Sequence, residues 1–359
     1  MKEPFVSLPE EARARLQRVA MPSWTAPMLA TLTEDHFSSE DWIYERKLDG
    51  ERCLVFRDRR GPRIVSRNKQ ELNDTYPELV EALQDAGPER FIVDGEIVAF
   101  DGKTTSFSRL QQRIGIRDPD EASATGIGVW LYLFDLIYLD HYLLDDLPLR
   151  SRKRLLRDAF DFAGRLRYTR HRNAAGEAYY EEACRRGWEG VIAKKADGRY
   201  VHSRSREWLK FKCVNRQELV IGGFTAPKGS RKGFGALLIG YYEEGDLRYA
   251  GKVGTGFDDE TLASLYARMA RIEQDEPAFA DEVHEKGAHW VKPELVGEFG
   301  FTEWTRDDKL RHPRYIGLRE DKPAKEVGRE RRLAAHQAAE PGPAPRCLPG
   351  GLNERPPRD

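Results

Sequence analysis

Apolar residues first recur at helical spacing in Leu8, Ala12, Leu16 and Val19. Ser7-Leu8-Pro9-Glu10 ahead of them reads as a capping box with a proline near the helix start. The spacing predicts a short amphipathic helix in an N-terminal extension, residues 1–23. From Trp24 onwards the pattern changes to short strand runs alternating with helices. Strands are expected over 53–57, 91–100, 130–138 and 190–194, and helices after Asp74, after Ser106 and over 176–186. A further pattern starts near Glu218, with strand-like runs over 219–224, 236–242 and 247–253 separated by Gly-rich turns. A helix is expected over 258–271 with Leu262, Leu265, Tyr266 and Met269 facing inwards, followed by more strand over 290–304. Short strands with one helix suit a small Greek-key barrel such as the OB-fold. The predicted division is 24–214 for the first domain and 218–328 for the barrel. Residues 334–359 are rich in Pro, Gly, Ala and charge and read as a disordered tail.

Length agrees with two domains in 359 residues. Hydrophobic residues at 40% and aromatics at 10% suffice for folded cores. Lys+Arg at 59 nearly cancel Asp+Glu at 60, so overall charge does not announce a nucleic-acid partner and local clustering must carry that case. No apolar run is long enough to span a membrane, and Met1-Lys2-Glu3-Pro4 lacks an apolar signal core. Cys53, Cys184, Cys213 and Cys347 lie far apart without a CxxC pair. That argues against a zinc ribbon or a disulfide framework and fits a reducing cytosol.

The candidate chemistry begins at Lys47-Leu48-Asp49-Gly50-Glu51-Arg52, a KxDGxR pattern. Alone this could be a charged turn with Asp-Gly at its tip. Further along come Ser66-Arg67-Asn68, Asp94-Gly95-Glu96-Ile97-Val98, Phe134-Asp135 and Glu189-Gly190-Val191-Ile192-Ala193-Lys194. Trp208-Leu209-Lys210-Phe211-Lys212 then sets two lysines on one strand face. Singly, Phe134 would be a core residue, Glu96 a strand-edge charge, and the two lysines a solvated face. Nucleotidyl transfer explains why they occur together. It needs a nucleophile, neutralised phosphate charge and in-line placement. A lysine amine attacks only when deprotonated, and neighbouring cations or a metal lower its pKa from about 10.4. Carboxylates supply the oxygen ligands that Mg²⁺ prefers.

In this order and at this spacing the motifs resemble those of the covalent nucleotidyltransferases: ATP-dependent DNA ligases, RNA ligases and mRNA capping enzymes. The resemblance covers nearly all of residues 24–325. It implies an α+β fold, in which a nucleotidyltransferase (ATP-grasp-like) domain of antiparallel sheets with helices precedes an OB-fold β-barrel. It implies that Lys47 is the nucleophile and carries AMP. Arg52 and Arg67 would contact ribose or phosphate, and Arg67 would later meet the 5′-phosphate of a nick. Glu96 would contact the ribose and share in metal binding, Phe134 would stack on adenine, and Glu189 would help hold the metal. Lys210 and Lys212 would grip the α-phosphate, and Glu45 lies where the family reads the adenine edge. ATP and Mg²⁺, or Mn²⁺, are the implied cofactors.

Within this group the sequence is most similar to DNA ligases. Pro27-Met28-Leu29-Ala30 precedes the nucleophile, and Gly317-Leu318-Arg319-Glu320-Asp321-Lys322 looks like the C-terminal ligase motif. Arg319, Asp321 and Lys322 are its matching positions, and the arginine and lysine would swing onto the ATP pyrophosphate. The nearest resemblance is to the ligase module of bacterial end-joining ligases, without the nuclease and polymerase modules of fused forms. It implies a monomeric cytoplasmic enzyme acting on nicked duplex DNA, with the Ku end-binding protein and separate end-processing enzymes as partners and no membrane. Lys228, Arg231, Lys232 and Lys252 are the candidate phosphate contacts. The run Arg150, Arg152, Lys153 and Arg154 reads as a solvated helix face. A barrel that reorients between steps would hinge near Val214–Gln217. Gly102-Lys103-Thr104 fails as a phosphate loop because Ile97 stands where its first glycine would be, so Gly102 marks a turn. RNA ligase, capping-type transferase and a catalytically silent scaffold are the alternatives.

Overall fold

The computed structural model describes residues 5–213, 215–227, 229, 232–305, 307–320 and 322–330. Its longer strands are β1 Leu29–Leu32, β2 Trp42–Lys47, β3 Glu51–Asp58, β4 Gly61–Ser66, β5 Phe91–Asp101, β6 Val129–Leu139, β7 His171–Asn173, β8 Gly190–Lys195, β9 Arg204–Lys212, β10 Asn215–Thr225, β11 Leu237–Glu243, β12 Asp246–Val253, β13 Ala288–Phe301 and β14 Arg314–Leu318. The helices used below are α1 Glu10–Arg13, α2 Pro77–Gln84, α3 Phe107–Gln111, α4 Leu149–Ala159, α5 Gly176–Arg185 and α6 Asp259–Ala270.

Two sheets form the first part of the molecule. In one, β6, β5, β3 and β4 lie side by side, continued beyond β6 by the short strands Tyr142–Leu143 and Gln17–Arg18. The other runs β7-β2-β8-β9-β1. A large apolar core lies against the first sheet and includes Leu79 and Leu83 of α2, Leu155 and Leu156 of α4, and strand residues such as Val55, Val93 and Leu133. The central strands β5 and β6 read FIVDGEIVAFD and VWLYLFDLIYL and are buried almost throughout, as strands covered on both faces are. The second sheet packs on α5 through Tyr179 and Ala183 against Val191, Leu209 and Phe211.

The barrel follows at once. Its strands run β12-β11-β10-β13, with β14 paired to β13 and α6 packed on the core through Leu262, Leu265 and Met269. This antiparallel, small-barrel architecture is the expected one.

Three local expectations are corrected. The N-terminal helix stops at Arg13 with no side-chain cap from Ser7, because Gln17–Arg18 pairs with Tyr142–Leu143 and takes the chain into a sheet. Tyr266 is 42% exposed. It follows Leu265 by one position, about 100° round the helix from the buried stripe. Cys184 and Cys213 form a disulfide across 29 residues, since the end of α5 packs beside the end of β9. Sequence separation did not report that proximity. Gly102 does mark a turn, with φ +58° between β5 and the short strand Thr104–Thr105.

Candidate active site

The second sheet supplies one wall of the site through register. Antiparallel pairing sets Glu45 opposite Ile192 and Ile192 opposite Lys210, and sets Lys47 opposite Gly190 and Gly190 opposite Lys212. Side chains in such rows share a face, so Glu45, Lys47, Lys210 and Lys212 all point the same way. Gly190 stands between two lysines at φ +151°, and a Cβ there would lie 1.9 Å from the Phe211 carbonyl oxygen. Only glycine fits. The first sheet supplies the opposite wall, with Arg52 of β3 paired in register to Glu96 of β5. Gly50 permits this approach, because a Cβ would meet the Ile97 oxygen at 2.1 Å.

Two cavities meet at Lys47. One, of about 190 Å³, is lined by Leu29, Glu45, Arg52, Phe134, Ile192, Lys194 and Trp208 among others. The second, of about 110 Å³, is lined almost wholly by charge, including Asp49, Glu189, Lys212, Arg216, Glu218, Glu298, Arg319 and Glu330. Lys47, Glu96 and Lys210 line both.

In the first cavity Glu45 is 2% exposed and bridges two ammonium groups. Lys153 Nζ contacts Oε1, and Lys194 Nζ lies 2.6 Å from Oε2. Burial alone would push the Glu45 carboxyl up, but the two lysines outweigh it and hold it below its usual range. For Lys194, burial and the neighbouring Lys153 prevail over Glu45 and bring the ammonium down to about 8. Phe134 has Arg52 4.5 Å and Lys194 4.3 Å from its ring centre. Arg52 itself donates to both oxygens of Asp94, at 2.6 and 2.7 Å, and to the Met28 carbonyl at 3.2 Å.

At the junction Lys47 Nζ is 2.5 Å from Glu189 Oε2. Burial would depress this ammonium, but Glu189, with Glu96 and Asp49 behind it, holds it above the ordinary lysine value. The depression expected from neighbouring cations is therefore not met, because carboxylates dominate around Lys47. Glu96 is pushed up to about 7 by burial, against the pull of Arg52, Lys47 and Arg319. Glu189 is held low by Lys47 and Lys212 despite its burial, whereas burial and the adjacent Glu189 raise Asp49.

The second cavity is completed by the barrel. Arg216 of β10 pairs with Asp49 at 2.9 Å. Glu218 and Glu298, opposite each other on β10 and β13, face the C-terminal motif. Lys322 Nζ is 2.8 Å from Glu218, and Arg319 lies 3.6 Å from Glu298 and 4.2 Å over the Phe107 ring of α3. Glu330 bridges the site's two phosphate-gripping candidates, with Lys210 in contact and Lys212 at 2.9 Å. Lys212 also donates to the Arg216 carbonyl at 2.6 Å. Burial and the surrounding lysines Lys212 and Lys47 bring Lys210 down to about 8 even against Glu330.

Asp49, Glu96 and Glu189 offer hard oxygen donors suited to Mg²⁺. Among the described residues no three His, Cys, Asp or Glu side chains converge enough to enclose an ion by themselves. The set fits an ion shared with phosphate oxygens and water, as Mg²⁺ commonly is.

The structure thus brings Glu45, Lys47, Arg52, Glu96, Phe134, Glu189, Lys210, Lys212 and Arg319 to two adjoining cavities, with Lys322 behind. Arg67 is half-buried and lines neither cavity. Lys232 and Lys252 are exposed on the barrel, Lys252 paired with Glu285 at 2.8 Å. Lys228, Arg231, Asp321, Val214 and the tail lie outside the described residues.

One reading is overturned. Arg152 and Lys153 are not solvated: both are buried, Arg152 against Asp135 and Lys153 against Glu45. Arg150 and Arg154 alone face outwards. The signal was present, since Leu149, Arg152, Lys153 and Leu156 stand at i, i+3, i+4 and i+7 on one helix face. Arg216, Glu218, Glu298 and Glu330 were not among the expected site residues, although Arg216 falls in the expected hinge and Glu298 in the stretch leading to the C-terminal motif.

Comparison with known proteins agrees with this geometry. Residues 27–212 match the family model described as ATP dependent DNA ligase domain, and 230–322 match ATP dependent DNA ligase C terminal region. The chain belongs to the ATP-dependent DNA ligase family. It is 37% identical over 325 residues to the multifunctional non-homologous end joining protein LigD of Pseudomonas aeruginosa, which covers 88% of this chain and 38% of that protein. It is 38% identical over 314 residues to the protein of that name in Mycobacterium bovis, covering 85% of this chain and 40% of that protein. The chain therefore spans about two fifths of the length of these curated relatives. A solved structure of mycobacterial DNA ligase D complexed with ATP and MES is 36% identical, covers 85% of this chain and 98% of that one, and superposes with a TM-score of 0.61.

Proposed function

We propose that the chain seals nicks in duplex DNA at the expense of ATP, through a lysyl–AMP on Lys47. The observation that carries this reading is the position of Lys47, at the meeting point of a ring-walled cavity and a charged one. ATP laid across the junction would put adenine towards Phe134, Ile192 and Trp208 and its phosphates towards Lys210, Lys212, Arg319 and Lys322. The α-phosphorus would then face the Lys47 amine. Glu96 and Glu189 are the residues that would hold Mg²⁺, which would supply neutralisation of the phosphate charge.

Lys47 gives up its ammonium proton to solvent, and its neutral amine then attacks the α-phosphorus, forming the P–N bond and breaking the bond to pyrophosphate, which Arg319 and Lys322 neutralise. Lys210 and Lys212 stabilise the charge that builds on the α-phosphate oxygens. AMP next passes to the 5′-phosphate of a nick, where Arg67 is a candidate contact. The 3′-hydroxyl then attacks that activated phosphate and releases AMP. Glu330 must leave Lys210 and Lys212 before ATP enters, and the barrel must swing away before DNA can reach Lys47. Barrel-face contacts would include Lys228, Arg231, Lys232 and Lys252, with the hinge near Val214–Gln217. The relatives' names support a role in non-homologous end joining, and Ku as a partner and a monomeric cytoplasmic enzyme are the readings we attach to that role.

Label transfer from ATP carrying a labelled α-phosphate, with Lys47→Ala as control and a chase with nicked DNA, tests the reading. Acid-stable label on the wild-type protein alone, discharged as sealed DNA appears, is the expected result. Discharge by RNA ends only would move the activity to RNA ligation. No label with ATP would leave a different nucleotide donor, to be tested with GTP and NAD, or an inactive scaffold.

A further inference from the structure

The deepest charge in the ring-walled cavity is Glu45, and its environment is unusual for a substrate-facing carboxylate. Each of its oxygens has its own ammonium partner, and Glu45, Lys153 and Lys194 are all at most 2% exposed. Lys153 reaches it from α4, outside the strands that carry the nucleotidyltransferase motifs. Its ammonium is fixed on every side. It contacts Glu45 Oε1, donates to the Thr169 carbonyl at 3.0 Å and to the Phe134 carbonyl at 3.5 Å, and sits 4.7 Å from the Tyr168 ring centre. The same residue therefore ties down Glu45 and the backbone of the ring expected to stack on the base.

A buried carboxyl has two possible states. Neutral, it presents both a donor and an acceptor; ionised, it accepts only. Burial without partners would favour the neutral form. Two ammonium groups favour the ionised form, so the wall offers the base an acceptor and no acid proton. A 6-amino purine brings a donor to that wall. A 6-keto purine brings a second acceptor, which repels the anion and leaves its own oxygen unpaired. One further polar atom is available at this cavity. Thr169 Oγ1 is buried without a hydrogen-bond partner among the described residues, whereas Lys194 Nζ is committed to Glu45. Both residues line the cavity.

We infer that Lys153 is a positioning residue, fixing Glu45 as an acceptor-only anion and so setting preference for 6-amino over 6-keto purine nucleotides. The inference rests on the proposed ATP-dependent activity, with the base at the Phe134 end. Lys153 touches no substrate; it acts through Glu45.

The test measures kcat/KM for lysyl–nucleotide formation on the full chain with ATP and with inosine triphosphate, in the wild type, Lys153→Met and Lys153→Arg. In Lys153→Met the ATP/ITP ratio should fall about tenfold or more, the worth of a hydrogen bond to a charged group. The fall should appear mainly in the KM for ATP, and Lys153→Arg should restore most of the ratio. Equal losses with both nucleotides, or an unchanged ratio, would overturn the inference and leave Lys153 a purely structural cation. Should Lys153→Met fail to fold, Lys153→Gln, one bond shorter but still a hydrogen-bond donor without the charge, faces the same criterion. Absence of lysyl–nucleotide on the wild type would instead overturn the ligase reading, so the two failures are distinguishable.

Discussion

The base end and the phosphate end of the site are built to different plans. At the base end the fully buried ion pairs lie within the first two sheets and their helices. Arg152 with Asp135, and Lys153 and Lys194 with Glu45, are buried pairs that cannot separate without opening the core. At the phosphate end the partners come from different parts of the chain. Arg216 reaches Asp49, and Glu330 reaches Lys210 and Lys212 from beyond the last barrel strand. Arg319 and Lys322 are held by Glu218 and Glu298 of the barrel itself. Folding of the first two sheets completes the first end, whereas the second is completed only where the barrel meets them. The difference suits a reaction in which the base site keeps one nucleotide while the phosphate site must admit ATP, release pyrophosphate and then receive DNA.

The sharpest way to break this comparison is to remove one buried cation from the base end. Arg152→Met leaves Asp135 charged in the core and should destabilise the protein by about 3–5 kcal/mol, seen as a large fall in denaturation midpoint. A loss below about 1 kcal/mol, the range of exposed pairs, would mean that the base end is no more fixed than the other. Next in size, Lys210→Ala should slow lysyl–AMP formation by about 10²–10³-fold, as loss of one transition-state donor does. Its melting temperature should move far less than that of Arg152→Met. If stability falls as much as rate, the phosphate end is structural too.

Smaller effects probe how reversible the docking is. Glu330→Gln weakens the self-contact with Lys210 and Lys212, so ATP should bind up to about tenfold more tightly, which is about 1.4 kcal/mol. Weaker binding in a calorimetric titration would count against competition between Glu330 and phosphate. With Lys210 at about 8, its ammonium is lost as pH rises through that value. The KM for ATP should therefore climb above pH 8 in the wild type, and the inflection should vanish in Lys210→Arg. Least of all, Lys252→Gln should lower the salt slope of DNA binding by no more than about one, since Glu285 already holds this lysine.

The sequence disclosed the two plans unequally. That Lys47, Glu96, Glu189, Lys210 and Lys212 would converge was legible because their motifs, in order and spacing, resemble a family whose chemistry calls for those residue types in one place. The α+β architecture and the barrel were legible because strand and helix periods differ. Glu330, Arg216 and Glu218 were not, because a charge that pairs across domains carries the same local pattern as one that faces water. Lys153 lay between these cases. Its helix-face spacing with Leu149 and Leu156 marked it as inward, but a run of four basic residues in five reads as solvated unless that periodicity is given more weight. The Cys184–Cys213 pair was hidden for a related reason, since only the packing of α5 on β9 brings the two cysteines together.

One feature of the phosphate end reaches beyond binding. Lys212 ends β9, Asn215 starts β10, and Lys212 donates to the Arg216 carbonyl across that short link. On the proposed mechanism, the lysine that would grip the α-phosphate is thus tethered to the strand on which the barrel would turn. A swing of the barrel would then stretch this tether, and a ligand that recruits Lys212 would slacken it. The link would act as a mechanical relay whose length sets the gearing. Lengthening the connection by even a few residues should leave both domains folded while uncoupling their timing, so that nucleotide loading and barrel motion proceed out of step.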